Sequence, residues 1–241
     1  MAGPIRRRFT LTDLPMVGLA VWALAFPRPY LVCLAALALL PVAVLPLFNR
    51  LGADTGAQAR PAWMASLAGL AGVAGVLLAL RAGMDFRLLD WKLSLALGAL
   101  LGAALAAAVA PQLLTLPARL VMLALALAAA LAWGWGLGVA ANGLFDRAPP
   151  VIHAAKVLGR RVSRGSRSKS YFLDIAPTNI AGLGDSVSVG FSLYRRVGVG
   201  DEVCIDEHAG ALHWRWFKIR TCRPDPAALT FAPLHAPFRA S

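Results

Sequence analysis

Four apolar stretches, 31–48, 63–80, 93–110 and 118–140, constrain this chain more than any other feature. Each approaches or reaches the roughly 17–25 residues that a helix needs to cross a hydrocarbon core. None carries Asp, Glu, Lys, Arg or His at its centre. The fold expected is therefore an α-helical membrane bundle of four spans. Composition agrees, because only 15% of residues are charged, against about 25% in a soluble domain.

Local signals mark the span ends. Pro41 and Pro46 bend the first stretch, while Pro61 and Pro117 precede the second and fourth, where proline suits a helix start. Trp63, Trp91, Trp133 and Trp135 stand near segment ends, as expected of rings at a membrane interface. The stretch 14–26 is shorter. Following Arg6, Arg7 and Arg8, it reads either as a signal-peptide core with Ala23-Leu24-Ala25 at the cleavage site, or as a re-entrant or interfacial helix. The second reading, capped by Asp13 and stopped by Pro27, is preferred because a spanning segment follows at once.

Basic residues set the expected orientation. With the N-terminus inside, the inner segments before the tail hold Arg6, Arg7, Arg8, Arg28, Arg81, Arg87 and Lys92, and the outer ones hold Arg50, Arg60 and Arg119. Four crossings then leave the C-terminal domain in the cytoplasm. Arg147, Lys156, Arg160 and Arg161 flank that domain on the same side. Asp85 and Asp90 beside Arg81, Arg87 and Lys92 read as a solvated, self-compensated turn. Within the spans, Gly98 with Gly102, Gly134 with Gly138, and Gly69, Gly72 and Gly75 predict close helix packing inside one chain. The same pairs leave a homo-oligomer open.

The character changes after residue 141. Asn142-Gly143 ends the last helix, Pro149-Pro150 prevents it resuming, and strands are expected at 151–162, 171–176, 186–191, 202–207 and 212–220. They predict a small all-β, barrel-like domain of SH3-like or OB-like shape. The organisation expected is a basic tail and short helix over 1–29, a transmembrane domain over 30–141 and a linker over 142–150. The β-domain follows over 151–223, then an irregular tail over 224–241. A hairpin turn at Gly210 would set Cys204 opposite Trp216, so no Cys204–Cys222 bridge is expected. Trp214 and Trp216 share one phase and Phe217 and Ile219 the other, which predicts a bulge near Trp216.

Several of these residues carry a resemblance. Asn142 and Asp146 precede the Pro149-Pro150 pair, Tyr171 lies in the second strand, and Tyr194 leads to Gly200, Asp201 and Val203. His208-Ala209-Gly210-Ala211-Leu212-His213 then comes before Trp216-Phe217. This C-terminal part resembles that of uncharacterised bacterial inner-membrane proteins with several N-terminal transmembrane helices and a small β-domain. It departs from their pattern at Ala209, His213 and Phe217. The resemblance implies a fold and a membrane address, and no activity.

No catalytic, cofactor or metal site is expected. Cys204, His208 and His213 lack the paired spacing of a zinc site, and the glycine-rich 182–186 lacks the lysine and helix of a phosphate loop. The strongest local signal is the basic run Arg160, Arg161, Arg164, Arg167 and Lys169, read as a hairpin tip. Beside a membrane it would meet anionic lipid headgroups. Nucleic acid is not expected as a partner, because no aromatic residues interleave with the run. The function expected is a non-catalytic membrane scaffold or accessory factor whose β-domain contacts a protein partner or the lipid surface. The rivals are a small channel or transporter gated by that domain and, behind it, a membrane-bound enzyme.

Overall fold

Runs of alanine and leucine combine strong helix propensity with apolar side chains all round, so the first part of the chain forms helices. A computed structural model describes residues 14–54, 62–113, 119–165 and 169–222. Asp13, Pro61, Pro117, Arg167 and the tail 224–241 lie outside the described residues. The chain divides into a helical unit, residues 1–147 with 210–214, and a β-unit, residues 148–209 with 215–241.

The helical unit contains α1 (Leu14–Ala25), α2 (Tyr30–Asp54), α3 (Ala62–Asp85), the two-residue strand β1 (Arg87–Leu88), α4 (Lys92–Leu113) and α5 (Arg119–Leu144). Among the described residues, three segments are long and apolar enough to cross a membrane: Ser66–Asp85, Lys92–Pro111 and Leu120–Leu144. The apolar part of α2, Tyr30–Pro46, is helical as expected but shorter than these three. α1 is a helix of 12 residues that packs on α3, with Ala23 fully buried.

Helix contacts depend on missing side chains. A Cβ on Gly98 would lie 2.6 Å from Trp135 Cα, and one on Gly102 would lie 2.6 Å from Leu131 Cα. One on Gly136 would lie 2.6 Å from Ala79 N. The backbones of α4 and α3 thus approach α5 at distances only glycine permits. Gly138 does something else, because its open face receives the indole of Trp214.

Two expectations for the bundle are corrected. Trp133 and Trp135 are not interfacial belt residues. Trp133 Nε1 donates to the Ala38 carbonyl at 2.9 Å and Trp135 Nε1 to Ser94 Oγ at 3.2 Å, so each indole crosses to a neighbouring helix. A buried indole N–H needs such a partner. Nor is Asp85 a solvated charge. Arg81 Nε and the Tyr30 hydroxyl each donate to its Oδ2 at 2.7 Å, and the Arg81 and Asp85 side chains are only 16% and 24% exposed. Asp90 does act locally, accepting from Lys92 N at 3.3 Å at the start of α4.

The β-unit contains β2 (Val151–Arg164), β3 (Lys169–Ile175), β4 (Ser186–Val189), α6 (Phe191–Arg196), β5 (Glu202–His208) and β6 (Trp216–Thr221). β6, β5, β2, β3 and β4 lie side by side in that order, all antiparallel, in a sheet that curls as a half-barrel. Its core gathers Val157, Leu173, Ile175, Val203 and Ile205, with Leu193 of α6 and Val197 also buried.

Three further corrections concern this sheet. The strand expected to reach Phe191 stops at Val189, and Gly190 begins a helix instead. The last strand begins at Trp216, not Leu212, because 210–214 belongs to the helical unit. Trp214 is therefore off the strand, and no bulge at Trp216 is needed. The longer loop also moves the register, pairing Cys204 with Arg220 instead of Trp216. Cys222 comes within reach, and a Cys204–Cys222 disulfide forms across a Cα–Cα distance of 4.8 Å.

Candidate functional site

Of the basic residues singled out by sequence, Arg160, Arg161, Arg164 and Lys169 stand on strands, and Arg167 lies outside the described residues. β2 continues to Arg164 and pairs there with Lys169, the first residue of β3. Arg160 and Arg161 thus stand on a strand, opposite Leu173 and Phe172. A register shift between Val157 and Gly159 exchanges the faces of β2 just before them. Arg160 consequently joins the face that carries buried Leu173, and Arg161 joins the opposite one.

Each arginine meets aromatic rings that the fold supplies. Arg160 Nη2 donates to the Tyr194 carbonyl at 2.6 Å, and its guanidinium lies 4.2 Å from the Tyr194 ring centroid. Tyr171 links this ring to Phe191, with centroid separations of 4.9 Å to Tyr194 and 5.1 Å to Phe191. Arg195 covers Phe191 at 5.7 Å, and Phe191 remains 53% exposed. On the other face Arg161 lies 5.5 Å from the Phe172 centroid and donates to Ser186 Oγ at 2.9 Å. Its ion pair with Asp174, at 3.7 Å between two well-exposed groups, contributes little. The cation–ring contacts orient the guanidinium groups and leave their charge at the surface, at about 0.5–1 kcal/mol each. Sequence adjacency hid this grouping, because the rings come from β3 and α6.

The cysteine and histidines of the zinc question do not converge. Cys204 is bonded to Cys222, His208 stacks on Trp216 at 3.9 Å, and His213 lies in the 210–214 loop. Among the described residues no three His, Cys, Asp or Glu side chains are grouped to hold a metal. Glu207 bridges His153 and Arg215, each at 3.0 Å, and Arg215 also donates to the Ala181 carbonyl. Two bonds from Arg220 to Asp206, at 2.7 and 3.0 Å, raise the guanidinium pKa above its usual value. These are ties within the sheet.

A second convergence involves the residues of the resemblance. Asn142, fully buried in the last turn of α5, accepts from Leu212 N at 2.9 Å through Oδ1, and its carbonyl accepts from Ala211 N at 3.0 Å. Its Nδ2 donates to the Trp214 carbonyl at 2.8 Å. Asp146 accepts from Gly210 N at 2.9 Å. Gly210 has φ +76, and any Cβ there would strike the Asn142 side chain. Asn142, Asp146 and Gly210 are thus one clasp, holding 210–214 in the helical unit. It is structural: its polar groups satisfy one another.

No protein-family model, curated protein or solved structure matches this chain. What fold and site define is a class: a chain with helices long and apolar enough to cross a membrane, followed by a curled antiparallel β-unit that carries an arginine–aromatic surface.

Proposed function

We propose that this is a multi-pass, non-catalytic membrane protein whose β-unit presents Arg160, Arg161, Arg164, Arg167 and Lys169 to the anionic headgroups of a lipid surface. The arginine–aromatic grouping carries the reading. Arg160 on Tyr194 and Arg195 on Phe191 combine fixed cations with half-exposed rings, the mixture favoured at a membrane–water interface. Both rings already have a guanidinium on one face, which suits headgroup contact better than stacking on nucleic-acid bases. α2, α3, α4 and α5 correspond to the four apolar stretches read from sequence, and we count α2 as a span with the three longer ones. The resemblance from Asn142 onward supports a bacterial inner-membrane address. The channel reading gains nothing from the groove between α4 and α5, about 280 Å³, which alanine and leucine line.

Full-length protein in lipid nanodiscs provides the test. Backbone hydrogen exchange over 160–164 and 191–196 should slow in anionic relative to zwitterionic nanodiscs. High salt should reverse the effect, as should changing the five basic residues to Gln. Equal exchange in both lipids at low salt would leave the run as a solvated strand end.

A further inference from the structure

We infer that α1 is itself a crossing, so that the membrane is traversed five times and the β-unit emerges on the oxidising, extracytoplasmic face. Two independent observations lead there. The first is the course of α1 along α3. Met16 packs against Gly69, and Tyr30 bonds Asp85, so the chain from Met16 to Tyr30 runs parallel to α3 from Gly69 to Asp85. Those 16 steps of helix cover about 24 Å, most of a hydrocarbon core of about 30 Å. A re-entrant helix would return to the face it left. α1 instead delivers the chain to the far end of α3, where α2 begins.

Parity then fixes the rest. The starts of α2 and α4 and the ends of α3 and α5 share one face, seen in the Tyr30–Asp85 bond and the Trp135–Ser94 bond. Leu14, the start of α1, lies toward the opposite face, beside the early part of α3. With α1 counted, Arg6, Arg7, Arg8, Arg50, Arg60 and Arg119 fall on the N-terminal side. Arg28, Arg81, Arg87 and Lys92 fall on the other, ahead of the tail. Arg147, Lys156, Arg160, Arg161 and Arg164, within about 20 residues of the end of α5, fall on that same other side, so the basic residues do not by themselves set the orientation, and the side on which the tail emerges rests on the disulfide.

The second observation is the Cys204–Cys222 disulfide. Forming it removes two protons and two electrons from two thiols, accepted by a disulfide-exchanging oxidoreductase of an oxidising compartment. Such bonds persist outside the cytosol and are rare within it. The orientation expected from four crossings is thereby reversed. The change comes from one helix too short to meet a length rule.

The test uses the whole chain in a bacterial host. Alkaline phosphatase fused after Ser241 should be active, and green fluorescent protein fused there should stay dark. In denatured, unreduced protein a polyethylene-glycol maleimide should modify one thiol, Cys33, and after reduction three. A fluorescent C-terminal fusion, or three modified thiols before reduction, would overturn the inference. Neither readout depends on headgroup contact, so the topology and the surface reading can fail separately.

Discussion

Asn142 and Trp214, 72 positions apart, hold each other in both directions. Asn142 Nδ2 donates to the Trp214 carbonyl at 2.8 Å, and Trp214 N lies 3.4 Å from Asn142 Oδ1. The Trp214 indole is 3% exposed, set against Gly138 one turn earlier on α5. A single buried amide therefore satisfies the backbone of a loop that arrives from between two strands.

Asn142→Ala should destabilise the protein through that loop. It leaves the Trp214 carbonyl and the Leu212 N–H without their partner, at about 1–3 kcal/mol for each group stranded. Asn142→Asp should also be destabilising, since a carboxylate cannot donate to the Trp214 carbonyl. Thermal unfolding in mild detergent should show a lower Tm for both. Asn179→Ala, at an exposed loop position, should match the parent. An unchanged Tm in Asn142→Ala would mean that the clasp is not a stabilising contact.

The three long apolar helices among the described residues were legible because crossing a membrane demands long uninterrupted apolar runs, and such runs survive without knowledge of contacts. The short helix α1 was expected as well, but its packing along α3 was not, because no single segment's sequence encodes contact between helices. The Cys204–Cys222 bridge failed for a related reason. Hairpin register depends on loop length, and nothing local says that 210–214 is claimed by Asn142 and Asp146. The basic residues were found and their setting was missed. Tyr171, Tyr194 and Phe191 are separated from them in sequence and meet them only through strand pairing and α6. Gly190 ahead of a stretch ending in Arg195-Arg196 was the available sign of that helix.

Glycine substitutions should separate backbone contact from ordinary packing. Gly98→Ala and Gly136→Ala each place a methyl about 2.6 Å from backbone atoms of a facing helix. Overpacking of this kind costs about 1–3 kcal/mol. Gly72→Ala meets only the Ala129 methyl at 3.7 Å and should be tolerated. Detergent-solubilised Tm values should rank accordingly, and equal values for all three would refute the close helix approach.

Reduction should weaken the β-unit. The bridge closes a loop across a sequence separation of 18, for which chain-entropy arguments give about 3 kcal/mol. Cys222→Ser should lower the unfolding midpoint, and reductant should lower the parent's but not the variant's. A parent indifferent to reductant would show that the bond does not stabilise the fold.

The most direct test of the account is the side of the membrane on which the β-unit stands. Asn179, exposed in the loop between β3 and β4, offers a site for a single added thiol. Spheroplasts expressing the full chain with Asn179→Cys would be treated with a membrane-impermeant maleimide, before and after permeabilisation, beside the parent with its buried Cys33. Labelling of Asn179→Cys in intact spheroplasts, with none of the parent, is the result predicted for a β-unit delivered outside by five crossings. Labelling that appears only after permeabilisation would place the β-unit in the cytoplasm and contradict it.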